Sequence, residues 1–149
     1  ELEGRLTEGQ VISPIPIFDP GVEGYGAVTD EYPLYMSGWH DKARTHSSFG
    51  SLEVLKDYNR HRLWINPLDA DPRGIHDGDK VRVKSPAHVT SRIVPSVVAM
   101  PQGFWHDADM KGNKLDKGGC INTLTTYVPS PLAHGNGPSN SIIAEVTKA

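Results

Sequence analysis

Cysteine is almost absent from this 149-residue chain, with Cys120 the only one. That excludes an internal disulfide and any cysteine-rich metal or iron–sulfur site. No apolar stretch approaches the ~18 residues of a helical membrane span. No run of Lys and Arg occurs and the formal net charge is −3, which argues against a nucleic-acid binder. Internal repeats, low-complexity tracts and Asn-x-Ser/Thr sites are also missing. No signal peptide opens the chain, which begins at Glu1 without Met and reads as an excised piece of a longer protein.

Proline and glycine are plentiful, twelve and fifteen of them, so turns should be many and long helices few. The chain length fits one domain with one core. Residues 1–31 read as an arm or linker from a preceding domain, punctuated by Pro14, Pro16 and Pro20. Its apolar run Val11–Phe18 is broken by proline, so it should lie extended on a surface. Residues 32–149 read as the domain proper.

Within that domain, Tyr32–Met36 is a short buried strand by its apolar content. Ser51–Tyr58 predicts a short helix with Leu52, Leu55 and Val54 facing inward, followed by a solvated Arg60-His61-Arg62. Trp64 and Ile65 belong to a second strand. Asn66 is a good N-cap, Pro67 a good first helical residue and Gly74 a natural stop, with Pro72 making the last turn irregular. Asp69 there is expected to accept a hydrogen bond at a turn rather than to act as a catalytic acid. His76-Asp77-Gly78-Asp79 turns into the strand Lys80–Val83. Ser91–Ala99 turns at Pro95 into the strand Val97–Ala99, and Ile142–Val146 is a closing strand.

The loops carry the chemistry. Ser37-Gly38-Trp39-His40 and then Arg44-Thr45-His46-Ser47-Ser48 crowd hydroxyls, imidazoles and a guanidinium just past a strand end. That mixture suits an anionic or polar ligand, but a solvated loop with a capping hydroxyl reads equally well. Gln102-Gly103 offers a donor and acceptor beside a residue that permits close approach; Phe104 and Trp105 after it read as core. Asp107–Lys117 is a charged, exposed loop. Asp116–Thr126 combines Gly118 and Gly119 with Cys120, Asn122 and three Thr around Ile121 and Leu124, a tight turn held by polar side chains. Pro129–Gly137 is another long polar loop. Cys120 reads as a small buried residue with no base to activate it. The seven His lack a zinc-type i, i+4 pair, so no metal ligand and no catalytic residue is assigned.

The wording GGCINTLTTYVPSPLAHGN resembles the end of catalytic subunits of the dimethyl sulfoxide reductase family of molybdenum enzymes, most of all the membrane-anchored A-type subunits. The resemblance runs from about Tyr32 to Val146 and includes Ser-Gly, a His and Arg-x-His-Ser-Ser after the first strand, and INPLDADPRGIHDGDKVRV. It implies a mainly β fold with short helices, a double-psi β-barrel, acting as the C-terminal domain that clamps molybdopterin guanine dinucleotide, and it puts the loop Met100–His106, with Phe104 and Trp105, near the pterin. The family contacts match Ser37, Gly38, Trp39, His40, Arg44, His46, Ser47, Ser48, Gln102, Gly103, Asn122 and Asn140. It further implies a parent enzyme reducing S-oxides or N-oxides in anaerobic respiration, an iron–sulfur electron-transfer subunit, a membrane anchor subunit and an extracytoplasmic location. The isolated domain should be inactive, since the metal-ligating side chain and cluster cysteines belong to other domains of that family.

Two departures stand out. The family usually has Gly where Ser96 stands, so the turn is expected either to put Ser96 in an awkward backbone conformation or to adopt another form. Between Val83 and Ala87 the family has a longer hairpin: either this member has lost it, or several residues are missing there, and the second reading expects a break with Cα atoms farther apart than the roughly 3.8 Å of a trans peptide. The competing readings are a free-standing double-psi barrel that binds a partner or small ligand, and a Ser/His hydrolase. The second lacks a G-x-S-x-G elbow and any triad order. A clamp should gather its polar loops on one rim.

Overall fold

The computed structural model describes residues 14–18, 20–58, 60–83, 85–113, 115–126 and 140–149. Seven strands form one curled sheet: β1 (Leu34–Trp39), β2 (Leu63–Ile65), β3 (Lys80–Arg82), β4 (Ser85–Val89), β5 (Val97–Pro101), β6 (Ile142–Ala144) and β7 (Thr147–Lys148), in the order β6-β1-β5-β2-β4-β3-β7. Two pairs are parallel, β1 with β5 and β2 with β4; the other pairs are antiparallel. The helices are short, α1 (Glu53–Tyr58) and α2 (Pro67–Ala70). The architecture is mainly β, as the resemblance implies, and its helices are short, as the abundance of turn residues implies.

One face of the sheet is the core, because alternate residues of each strand point the same way. Leu34 and Met36 of β1, Leu63 and Ile65 of β2, Val98 and Met100 of β5, and Ile142 and Ala144 of β6 are all buried. Each large side chain fully buried this way contributes about 1.5–3 kcal/mol. The registers Met36 opposite Val98 and Met36 opposite Ile142 keep these residues on a common face. The first strand starts two residues later and ends three residues later than its apolar content suggests, because Ser37, Gly38 and Trp39 continue the ladder with β5.

The local signals around α2 form as read. The Asn66 side chain accepts from Leu68 N at 2.9 Å, Pro67 opens the helix, and the chain passes through a 3-10 turn (Asp71–Arg73) to Gly74 at φ 63°. Asp69 accepts from the backbone of Ser96 at 2.8 Å, so it is indeed a turn acceptor, though for a turn far along the chain. Ser96 itself stands at φ 66°, the strained conformation expected of a residue in a glycine position.

Other expectations need correcting. β3 and β4 pair as a short antiparallel hairpin, with Val81 opposite Ser85 and Lys80 opposite Pro86, while the break expected between Val83 and Ala87 includes a position outside the described residues. Pro86 sits at an exposed position; Lys84 lies outside the described residues. In α1 no residue is buried, and Leu52 and Val54 are exposed, because nothing among the described residues covers the helix's apolar side. Of the arm, Ile15, Ile17 and Phe18 are exposed, whereas Glu23 accepts from Ile143 N at 3.1 Å and Gly26 N donates to the Tyr35 hydroxyl at 2.8 Å. Residues 1–13 and the loop expected over Pro129–Gly137 lie outside the described residues.

Candidate functional site

Strand direction assembles the site. β1 and β5 run parallel with Trp39 opposite Pro101, so the loops that leave them emerge side by side. β6 runs antiparallel to β1, so its beginning lies where β1 ends. Trp39-His40, Gln102-Gly103 and Asn140 therefore meet at one end of the sheet.

Gln102 is the centre of that meeting point. Its backbone N donates to Trp39 O at 2.9 Å. Its side-chain Oε1 lies 2.9 Å from His40 Nε2, and its Nε2 donates to Asn140 Oδ1 at 3.1 Å. With Gln102 oriented this way, His40 is the donor to it and carries the proton on Nε2 when neutral. Gly38 makes room for the arrangement: a Cβ there would meet Gln102 Nε2 at 2.5 Å and Asn140 Oδ1 at 3.0 Å.

The loop after β1 folds back over the loop after β5. His46, at φ 51°, packs its ring edge-on to His40 with centroids 5.0 Å apart. Gly103 stands at φ 92°, and a Cβ on it would lie 1.8 Å from His46 O. The close approach expected at Gly103 is thus made to this chain's own backbone. The same holds at Gly118, where a Cβ would lie 1.9 Å from Trp105 O.

Between these loops opens a cleft of about 400 Å³, lined by His46, Ser47, Gln102, Gly103, Asn122 and neighbours that include Trp105, His106 and Cys120. Five of the predicted site residues line it, and Gly38, His40 and Asn140 join it through Gln102. The other four do not line it. Ser37 shares a separate hollow with Glu23, Tyr25 and Asn140. Trp39 packs against Trp64, centroids 5.4 Å apart. Arg44 lies behind the wall, its guanidinium carbon 3.8 Å from the centroid of Phe104. Ser48 closes a turn by donating its N–H to Thr45 O at 2.9 Å. Trp39 Nε1 and Arg44 Nε are buried donors that find no hydrogen-bond acceptor among the described residues.

Several contributors escaped the sequence reading. Phe104 is only half-buried and Trp105 is 75% exposed at the cleft, so neither is core. Arg60-His61-Arg62 is not a uniformly solvated face: the His61 ring stacks on Phe104 with centroids 3.6 Å apart. Burial, and then the nearby Arg44 charge, push the His61 pKa down to about 4 against the opposing pull of the Gly119 backbone and Asp116. Cys120 is half-buried in the cleft lining rather than a core residue.

Asp116 was read as part of an exposed charged loop, yet it organises the glycine turn. Its carboxylate accepts from the backbone N–H groups of Asp107, Gly118 and Cys120 at 2.8, 2.9 and 2.7 Å. Partial burial opposes its charge, but those three donors outweigh it and hold the carboxyl below its usual pKa. The Asp-x-Gly spacing was the available signal. The Thr side chains do hold the turn, Thr123 Oγ1 donating to Cys120 O at 2.7 Å and Thr125 Oγ1 to Asn122 O at 3.1 Å. Among the described residues no His, Cys, Asp and Glu group is arranged to hold a metal ion.

A family model described as "Molydopterin dinucleotide binding domain" matches residues 34–141. The dimethyl sulfoxide reductase DmsA of Escherichia coli (strain K12) is 50% identical over 152 residues, covering 97% of this chain and 18% of that protein. The trimethylamine-N-oxide reductase of Haemophilus influenzae is 38% identical over 132 residues, covering 79% of this chain and 16% of that protein. The chain therefore spans less than a fifth of the length of these curated relatives. The alignment to the first exceeds the chain's 149 residues, so that relative carries residues this chain lacks. Acetylene hydratase from Pelobacter acetylenicus has a similar fold, with a TM-score of 0.70 at 14% identity over 91% of this chain and 21% of that one.

Proposed function

The chain belongs to the molydopterin dinucleotide binding domain family, and from that premise we propose that it is the cofactor clamp of a larger molybdenum oxidoreductase, with molybdopterin guanine dinucleotide as its ligand. The observation that carries this reading is the convergence of His40, Gln102 and Asn140 beside Gly38, at the mouth of a cleft lined by His46, Ser47 and Asn122. These are donors and acceptors for a pterin edge, a base or a pyrophosphate, and the family's ligand contains all three. The buried donors Trp39 Nε1 and Arg44 Nε, without acceptors among the described residues, support the same fit.

When bound, the molybdenum–pterin group supplies oxygen-atom transfer and electron exchange; the protein supplies orientation and electrostatics. In this reading Gln102 fixes the tautomer of His40 and the direction of the Asn140 amide. Gly38 and Gly103 keep the loops close enough for those contacts. Arg44 supplies positive charge, and Ser37, Trp39 and Ser48 support the loop that carries His46 and Ser47. The parallel pairs β1/β5 and β2/β4 support reading the curled sheet as a double-psi β-barrel. Resemblance to the reductases above supports a parent enzyme acting on S-oxides or N-oxides, with the remaining domains of the same subunit, an iron–sulfur subunit and a membrane anchor as partners, on the extracytoplasmic side. No specific observation favours the free-standing binding module.

The test uses the full-length protein, assayed for molybdenum and for guanine nucleotide released by acid. Both should be present, with two nucleotides per metal. The variant Gly38→Val, which drives side-chain atoms into Gln102 and Asn140, should lose both while keeping its circular dichroism. A protein devoid of molybdenum and guanine nucleotide, or a Gly38→Val variant loaded like the wild type, would refute the reading.

A further inference from the structure

His61 precedes β2, yet it stands where the three loops of the cleft meet. Its ring lies 3.6 Å, centroid to centroid, from Phe104, with the planes 36° apart. The Arg44 guanidinium carbon lies 3.8 Å from the same Phe104 centroid. Two groups cannot both sit that close to one centroid from the same side, so Phe104 is sandwiched between an imidazole and a guanidinium. His61 also makes a polar contact with the Gly119 backbone. One side chain thus touches the loop after β5 and the glycine turn directly, and reaches the loop after β1 through Phe104.

We propose that His61 is a positioning residue that holds these three loops in register for the dinucleotide, by stacking on Phe104 and contacting the Gly119 backbone at once. The inference rests on the cofactor reading above. Phenylalanine at this position would keep the stack and lose the polar contact; glutamine would keep a polar group and lose the stack. Only a planar ring bearing nitrogen does both.

The arrangement also requires a neutral ring. Arg44 faces His61 across Phe104 and opposes a second positive charge, whereas Asp116 favours it. Of the flanking residues, Arg62 lies 3.9 Å from Asp77, and Arg60 is exposed. Burial is the largest influence and, with Arg44, keeps the imidazole uncharged down to about pH 4. Below that, a charged ring repels Arg44 and the stack loosens.

The experiment compares full-length wild-type enzyme with His61→Gln and His61→Phe, reading guanine nucleotide retained on the protein over time and pH, with hydrogen exchange at the Gln102 and Cys120 amides, which donate to Trp39 O and Asp116. Both variants should release nucleotide about tenfold faster at pH 7 and exchange faster at both amides. Wild-type release should accelerate near pH 4, before circular dichroism changes, and the variants should lack that step. A variant matching the wild type in release rate and acid profile overturns the inference. If neither variant folds, the wild type decides: an acid step ahead of the loss of circular dichroism supports the role, and release that only accompanies unfolding overturns it. A wild type carrying no guanine nucleotide overturns the cofactor reading as well, whereas a loaded wild type with indifferent variants overturns this inference alone.

Discussion

Replacing Gly103 by alanine separates two effects that a glycine usually confounds. Gly103 stands at φ 92°, where an L side chain is strained by roughly 1–2 kcal/mol. A Cβ there would also lie 1.8 Å from His46 O, so the His46–Ser48 loop must retreat by more than about 1 Å. Gly78 has nearly the same conformation, φ 87°, but a Cβ on it meets nothing within 4 Å. Gly78→Ala therefore measures the conformational cost alone. Gly103→Ala should cost about 2–4 kcal/mol and Gly78→Ala about 1–2. Native-state hydrogen exchange in the full-length protein reads both. The Ser48 amide, which donates to Thr45 O, and the Gln102 amide, which donates to Trp39 O, should lose protection in Gly103→Ala. The Gly78 control should act only near its own turn. Because retreat of the loop carries His46 and Ser47 away from Gln102, Gly103→Ala should also release bound nucleotide. Equal effects of the two substitutions on Ser48 and Gln102 would refute the contact argument.

Two further outcomes follow from the geometry. Asp116→Asn should weaken the glycine turn by about 1–3 kcal/mol at pH 7, read as faster exchange of the Asp107, Gly118 and Cys120 amides that its carboxylate accepts from. Since the folded pKa of Asp116 lies below its ordinary value, its contribution is present above the unfolded pKa and fades as pH falls through the folded one, so wild type and variant should converge in strong acid; a constant gap would count against it. Ser96→Gly should stabilise by up to about 1 kcal/mol by relieving the φ 66° strain, partly offset by glycine's larger unfolded-state entropy. The readout is protection at the Tyr35 amide, which donates to Ser96 O at 3.0 Å, and lost protection there would contradict the strain account.

The sequence was most legible where structure is local. Asn66, Pro67 and Gly74 carry their own capping chemistry within a few residues, and the segment folds as they dictate. Ser96 was legible through the family's glycine at that position, and Gly103 because only a residue without Cβ permits so close an approach. Gln102 and Asn140 were found through resemblance, and the strand directions of β1, β5 and β6 explain why they meet. His61 was not legible: flanked by two arginines it reads as surface, and what buries it is Phe104, brought from another loop. Asp116 was hidden by neighbouring charges, though its donors lie within nine residues. The pattern over Leu52–Tyr58 told only that an apolar side exists; whether anything covers it is a property of tertiary structure, and among the described residues nothing does. Likewise glycines marked close approach without saying to what, and at Gly103 and Gly118 the answer is backbone.

The pairing of β1 has a consequence for when the site can form during synthesis. Its neighbours in the sheet are β5, about sixty residues later, and β6, about a hundred residues later. At roughly 5–20 residues per second on the ribosome, β1 waits about 3–12 s for β5 to be made, and longer for β6. Until β6 joins, Asn140 has no fixed place beside Gln102 and the rim has one side missing. Pairings so distant in sequence also fold slowly once available. Loading of a ligand that spans the rim is therefore a late event, and an apo state awaiting its cofactor belongs to the ordinary folding course of this domain.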